Sequence, residues 1–250
     1  VSVVDGHLAP PSTMAVEAPA SWLLSRHRGV GRGLLRAGWS VRVHGAESTP
    51  REGPVIFAAN HLGVLDGPML ASFAPRTTHV LTKSELFAGP AGRFLTAAGQ
   101  IPLDRTAIDA AAVRACVRVL RDGGCVGIFP EGHRGAGTLR RLRPGVGYLG
   151  LVTGAPVVPV TFFGTRLSGA RSGSLPPVRF PIDVVFGSPI RVDPLPWPRT
   201  REQVRQTVGF IREQMLVHLE QSQALVGRTL PGPLPAGDRL TPPTRNTGAP

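Results

Sequence analysis

Cysteine is scarce in this chain of 250 residues: Cys116 and Cys125 are the only two. They form no C-x-x-C pair and no disulfide framework, so a reducing compartment is the natural setting. The seven histidines include no H-E-x-x-H and no Cys/His cluster; no metal site is expected and no cofactor is called for. Lysine is represented by Lys83 alone, and acidic residues are few, 16 against 28 Lys+Arg, for a net charge of +12. An arginine-rich surface favours anionic partners and pairs bidentately with phosphate. The same Arg-, Ala-, Gly- and Pro-rich composition also follows from genomic base bias, so charge permits such partners without naming one. Long apolar runs are missing too. The longest candidate, Val146 to Phe163, is interrupted by Thr153-Gly154-Ala155-Pro156 and reads as a helix, a turn and a strand, so no spanning helix is expected. With no G-x-S-x-G there is no nucleophile-elbow serine. Gly145 to Gly150 matches G-x-G-x-x-G, but it follows a basic loop where a dinucleotide fold needs a strand, and no acidic residue sits at the required distance downstream.

What is present suits one domain of moderate size. Residues 1–20 mix Pro, Ser and Gly without periodicity and lack the basic start and apolar stretch of a signal peptide; they are expected to be disordered, with Met14 as an alternative start. Over residues 21–39, Trp22, Leu23, Leu24, Val30, Leu34, Leu35 and Trp39 alternate with Arg26, His27, Arg28, Arg32 and Arg36. That is a basic amphipathic segment able to lie on an anionic membrane surface, or a core-packing helical hairpin with a solvated basic face. Gly29, Gly31 and Gly33 weaken it as one continuous helix.

Strands are expected at Val41–His44, Val55–Ala59, His79–Lys83, Gly99–Leu103, Cys125–Phe129, Val157–Phe163 and Ile182–Phe186. Helices alternate with them: Gly67–Phe73, Ser84–Ala98 broken at Gly89-Pro90, one opening on a capping box at Thr106 to Asp109, one ending near Val152, and one capped by Thr200 to Gln203. From Gly227 onward, Pro, Gly and Thr suggest a disordered tail. The fold class is therefore α/β, with a mostly parallel or mixed central sheet flanked by helices, an N-terminal amphipathic helical segment, and a domain core over residues 40–222.

Several of these strands end on polar clusters: Asn60-His61 with Asp66, Asp104-Arg105, and Glu131 to Arg134. In an open α/β sheet, ligands gather outside the carboxyl ends of the strands. His61 and Asp66 are five apart, so on one regular helix their side chains diverge by about 140°. They can pair only if His61 lies in the strand-to-helix loop and Asp66 folds back from the helix start. One imidazole nitrogen would then face the pocket as a general base. Equally, on these residues alone, His61 is a loop histidine and Asp66 a helix cap.

The clusters resemble the glycerophosphate acyltransferases, and within them the 1-acylglycerol-3-phosphate (lysophosphatidic acid) acyltransferases. Asn60-His61-Leu62-Gly63-Val64-Leu65-Asp66 is similar to the family's N-H-x4-D motif. Gly99 to Arg105 is similar to the second motif, whose closing Arg contacts the acceptor phosphate. Phe129 to Gly135 resembles F-P-E-G-T-R-S, Val157 to Val160 resembles the fourth motif, and Lys83-Ser84-Glu85-Leu86 the segment between the first two. The blocks occur in the family's order across residues 40 to 190. Departures are His133 in place of Thr, Gly135 in place of Ser, and Gly63 where Ser is frequent; the first two remove hydroxyls from the phosphate-side loop.

The resemblance implies acyl transfer from an acyl thioester, coenzyme A or acyl carrier protein, to the free hydroxyl of lysophosphatidic acid, on the cytoplasmic face of a membrane and peripheral to it. His61 and Asp66 would be catalytic. Asn60, Lys83, Arg105, Glu131, Gly132, His133 and Arg134 would bind substrate, with Glu131 positioning Arg134 or the glycerol. Val157 to Val160 would be either acyl path or core strand. The same chemistry on another lysophospholipid, glycerol 3-phosphate or a lipid-linked hydroxyl is an alternative, and a non-catalytic basic membrane-binding protein is one of another class. No nucleic-acid partner is implied. His61, Asp66 and Glu131 occupy motif positions that a mere binder, needing only arginines, would not require.

Overall fold

The computed structural model describes residues 16–20, 22–107 and 109–238, together with a two-residue antiparallel ladder between Val3–Val4 and His7–Leu8. The rest of the expected disordered N-terminus lies outside the described residues. One seven-stranded sheet organises the chain: β1 (Ser40–His44), β2 (Val55–Ala59), β3 (Thr78–Lys83), β4 (Ile101–Leu103), β5 (Cys125–Ile128), β6 (Val157–Phe163) and β7 (Pro181–Phe186), in the spatial order β1-β7-β6-β2-β5-β3-β4. Every pairing is parallel except β6 with β7. The five strands β6, β2, β5, β3 and β4 therefore open their carboxyl ends on one edge, while β7 and β1 run the other way.

β2 lies in the middle, and all five of its residues are fully buried, as expected of a parallel strand covered on both faces. Its alternation divides the core. Val55, Phe57 and Ala59 face one cluster, with Leu65, Met69, Leu70 and Phe73, the last three from α2 (Asp66–Phe73). Ile56 and Ala58 face the other, built from α4 (Ala110–Arg121), α5 (Gly145–Thr153) and α6 (Arg201–Val226). The chain leaves β2 to build β3 and β4 on one side and returns through β5 to β6 on the other, so the mouth of β2 lies where the connections diverge, the usual place for a ligand.

The segment 21–39 forms one continuous helix, α1 (Trp22–Gly38), despite its glycines. Part of its basic side turns inward, while Arg26 and Arg36 stay exposed. Arg28 donates to the carbonyl of Pro75, and Arg32 to those of Ser72 and Ala74, so the two guanidiniums satisfy carbonyls left open where α2 ends. Arg36 stacks over Phe73 at 5.4 Å, and Leu35 packs beside the same cluster. Gly31 lets α1 come close, since a Cβ there would stand 3.0 Å from Ser72 Oγ. Trp22, Val30 and Leu34 are left exposed.

A 3-10 turn (Ser84–Phe87) and α3 (Gly89–Ala97) fill the interrupted segment after β3. The expected capping box at Thr106 does not form. Asp109 caps α4 instead, accepting from the Ala112 N–H with one oxygen and from the Asp104 N–H with the other, while Thr106 donates to Asp104. Thr200 and Gln203 do form a reciprocal capping box at α6. Gly147 of the glycine-rich 145–150 run sits inside α5, where a Cβ would come 2.6 Å from Val208 of α6; it serves helix packing.

Residues 227–238, expected in the disordered tail, instead run along the domain. Arg228 donates to the carbonyl of Pro181 and to Asp183, Gly232 accepts from Arg166, and Asp238 accepts from the Ser172 backbone and hydroxyl. Pro and Gly exclude regular structure there without excluding these contacts. Residues 239–250 lie outside the described residues.

Candidate active site

Asn60 immediately follows β2 and is 1% exposed. Its side chain accepts from the Phe162 N–H and donates to the Phe162 carbonyl, prolonging the β2/β6 ladder by one amide. Both amide atoms are thus committed to the backbone, and Asn60 positions the loop where the sequence placed it among substrate ligands. The chain then turns, and His61 leaves the sheet before α2 begins.

Asp66 is the first residue of α2 and fully buried. Its Oδ2 accepts from His61 Nδ1 at 2.8 Å and from the backbone N–H groups of Leu62 and Gly63 at 2.6 and 2.9 Å. Three donors converge on one oxygen, which orients the carboxylate and fixes the imidazole as the tautomer protonated on Nδ1. Nε2 is left as an acceptor. The ring stacks on Phe129 at 4.1 Å and 21°, which fixes its plane. Burial pushes the His61 pKa below its usual value; Asp66 opposes that shift, while Arg134 and Arg105 add to it. The imidazole is neutral at neutral pH and so competent as a base.

Glu131 follows β5 and reaches the same loop from beneath. Its Oε2 accepts from the His61 N–H at 3.0 Å and its Oε1 from the Leu139 N–H at 3.1 Å. Burial raises its pKa against the lowering effect of those two donors. The carboxylate therefore braces two loops, and it forms no hydrogen bond with Arg134 among the described residues. The loops are stitched again by the Gly135 N–H, which donates to the His61 carbonyl at 2.8 Å.

Arg105, just past β4, donates from Nη1 to the Gly132 carbonyl at 3.2 Å, while its Nε is buried without a partner among the described residues. Gly132 adopts φ +73°, the left-handed region that glycine enters without strain. Arg134 is half-buried, its pKa lowered first by burial, with Asp66 and Asp238 pulling it up and Arg105 pushing it down. Both guanidiniums are near enough to act electrostatically on His61, and Arg134 and Asp66 act on each other. His133 is exposed, its ring 3.9 Å from where a Gly135 Cβ would stand. Lys83 ends β3 on the same edge and forms an ion pair with Glu85 at 2.8 Å. Val157, Val158 and Val160 are at most 1% exposed and shared between the two core clusters, so these three side chains belong to the core strand.

One residue that the sequence did not single out holds the site together. Arg166, beyond β6, is 2% exposed and donates to five carbonyls, those of Leu62, Gly135, Leu167, Ala170 and Gly232. It joins the His61 loop, the end of the Glu131 loop and the C-terminal segment. The signal available was an arginine directly after an apolar strand, which a charge-rich chain conceals.

Comparison with known proteins converges on one family. The family model described as Acyltransferase matches residues 40–163. The 1-acyl-sn-glycerol-3-phosphate acyltransferase of Limnanthes alba is 30% identical over 197 residues, 77% of this chain and 68% of that protein. The protein of the same description from Borreliella burgdorferi is 33% identical over 138 residues, where the match spans 53% of this chain and 55% of the relative. The crystal structure of the 1-acyl-sn-glycerophosphate (LPA) acyltransferase PlsC from Thermotoga maritima shares the fold, with a TM-score of 0.56 at 22% identity over 80% of this chain and 81% of that one. With its motif blocks gathered at one sheet edge and its fold and sequence both matched, the chain belongs to the acyltransferase family that includes the 1-acyl-sn-glycerol-3-phosphate acyltransferases.

Proposed function

We propose that this protein transfers a fatty acyl group from an acyl thioester to the free hydroxyl of lysophosphatidic acid, giving phosphatidic acid, with His61 and Asp66 as the general-base dyad. The observation that carries the reading is the 2.8 Å contact between His61 Nδ1 and Asp66 Oδ2, which leaves Nε2 as the acceptor for the hydroxyl proton. As the hydroxyl oxygen attacks the thioester carbonyl, Nε2 takes its proton, and the imidazolium that forms is held against a buried carboxylate. Collapse of the tetrahedral species expels the thiolate, a good leaving group, which the imidazolium can protonate. No enzyme nucleophile is needed, so the lack of an activated serine is no obstacle.

Arg105 and Arg134 are assigned to the acceptor phosphate. Support comes from the buried Arg105 Nε, a donor with no protein partner among the described residues, which a phosphate oxygen would complete at little cost because the group is already desolvated. Gly132 holds Arg105 in place through its carbonyl. The same chemistry on another lysophospholipid or on glycerol 3-phosphate is the second reading, favoured by His133 and Gly135 standing where the family pattern carries hydroxyls.

The acceptor is amphiphilic, and α1 carries Trp22, Val30 and Leu34 at 58, 59 and 69% exposure on the side away from Arg28 and Arg32. We assign that face to contact with the membrane surface. No helix among the described residues is long and apolar enough to cross a membrane.

The experiment is thiol release from an acyl-coenzyme A or an acyl carrier protein thioester, measured with and without lysophosphatidic acid. Acceptor-dependent release that disappears in a folded His61→Ala protein is expected. Near-normal release by that variant would remove the mechanism.

A further inference from the structure

Arg140, Arg141 and Arg143 play no part in the assignments above, and all three are exposed. Their guanidiniums form no hydrogen bond or ion pair among the described residues. A solvated charge run needs no fixed backbone, yet this one is pinned at both ends. Leu139, directly before it, is 2% exposed and held at φ +54°, a region that costs a side-chain-bearing residue about 1 kcal/mol or more. Its N–H donates to Glu131, and its carbonyl accepts from Arg212 Nε at 2.7 Å. At the other end the Arg143 N–H donates to the Pro130 carbonyl at 2.7 Å. The arginine turn is therefore fixed to the same Pro130 to Gly132 turn that carries the candidate site.

Arg143 comes closest. Its stem lies across Gly132, where a Cβ would stand 2.9 Å from Arg143 Cδ and collide with Nε. Gly132 thus has Arg105 on its carbonyl and Arg143 over its Cα. The glycine here serves a close approach as well as a positive φ. Arg143 and Arg105 therefore meet at one glycine, and Arg140 and Arg141 add two exposed charges on the same turn.

One acceptor phosphate does not require five arginines. The other anion in the reaction is the acyl donor, whose thioester sulfur sits at the end of a pantetheine arm with phosphate at its far end, in coenzyme A and acyl carrier protein alike. We infer that Arg140, Arg141 and Arg143 form a second anion site at the pocket mouth that binds the phosphates of the acyl carrier. This rests on the acyl-transfer reading above and deepens it. Separate anion sites for donor and acceptor would let the pantetheine arm and the lysophospholipid enter from different directions and meet at His61.

The test is steady-state kinetics of the full chain with three donors carrying one acyl group: the coenzyme A thioester, the acyl carrier protein thioester, and the pantetheine thioester, which has no phosphate. The variants are Arg140→Ala/Arg141→Ala, Arg143→Ala and Arg143→Lys, each checked for folding by circular dichroism. Loss of one charge-assisted contact should raise the donor KM by about tenfold, with the pantetheine thioester and acceptor KM unchanged. Arg143→Lys should recover most of the Arg143→Ala defect, since the point charge remains. A rise with both phosphate-bearing carriers supports the site and assigns it to the phosphate of the arm. A rise with coenzyme A alone supports it and assigns it to the nucleotide phosphates, whereas a rise with acyl carrier protein alone would place the arginines against the carrier's protein surface and overturn the phosphate site. An unchanged donor KM for both, an equal rise with the pantetheine thioester, or a rise in acceptor KM instead would overturn it. If the wild type releases thiol from none of the donors, it is the acyl-transfer reading that fails.

Discussion

Asp66→Asn separates the catalytic reading of the dyad from the structural one. Asparagine is nearly isosteric with aspartate, and its carbonyl oxygen can take the place of Oδ2, keeping the bonds from His61 Nδ1, Leu62 N–H and Gly63 N–H. The displaced amide then occupies the position of Oδ1, which has no partner to lose among the described residues. The loop should stay folded while one negative charge is removed. In the ground state His61 is neutral, so that charge matters most when Nε2 has taken the proton. Two unit charges about 4 Å apart at an effective dielectric near 20 interact by about 4 kcal/mol; the opposing field of Arg105 and Arg134 does not depend on the substitution. Up to about three powers of ten in rate are therefore at stake, and turnover should drop by roughly two to three orders of magnitude. Thiol release at saturating donor and acceptor measures it, with thermal melting as the folding control.

The pH profile adds a second reading. In the wild type, burial holds His61 below its usual pKa, so the acid limb of kcat/KM should lie below about pH 6.5. Asp66 is what raises that pKa against burial. Its neutralisation should move the limb still lower, because a base that is harder to protonate stays unprotonated to a lower pH. A variant whose turnover matches the wild type, or an acid limb that stays in place, would refute the role given to Asp66.

Arg105→Ala should raise the acceptor KM by about tenfold or more with kcat little changed, since it removes a binding charge and leaves the base; an unchanged KM would show that the phosphate lies elsewhere. Arg166→Ala should leave the Leu62 and Gly135 carbonyls without their donor, destabilising the fold by roughly 3 kcal/mol, or on the order of 6–12 °C in Tm for a chain of this size. Its kcat should fall as well, a loss that thermal melting and single-turnover kinetics resolve separately. Val30→Asp/Leu34→Asp should weaken sedimentation with anionic vesicles without lowering Tm, because both side chains point away from the body; unchanged vesicle binding would remove α1 from the membrane contact.

The pairing of His61 with Asp66 was legible because their spacing excludes a shared helix and leaves a folded-back carboxylate as the way to make contact. The partners of Asn60 and Glu131 were not, because they are backbone groups. A side-chain motif records which polar residue is required, while the Phe162, His61 and Leu139 amides that these residues meet come from strands and loops distant in sequence. The orientation of α1 was hidden for a related reason. Amphipathicity defines two faces, but the open carbonyls at the end of α2 decide that Arg28 and Arg32 turn inward.

Arg166 and Gly63 show how such a hidden contact still leaves a trace. Arg166 brings its guanidinium beneath the Leu62 carbonyl only if the chain at Thr165 passes close under the His61 loop. A Cβ on residue 63 would then stand 2.8 Å from the Thr165 carbonyl oxygen and 3.4 Å from Arg166 Cβ. Glycine at 63 relieves that contact, so the departure from serine in the first motif reflects packing against Arg166 more than a change of chemistry at the dyad. His133 and Gly135 differ in kind. His133 is exposed and its ring would stand 3.9 Å from a Cβ at Gly135, an ordinary van der Waals distance, so no packing demand accounts for either, and these two positions are where a difference in acceptor headgroup would be written.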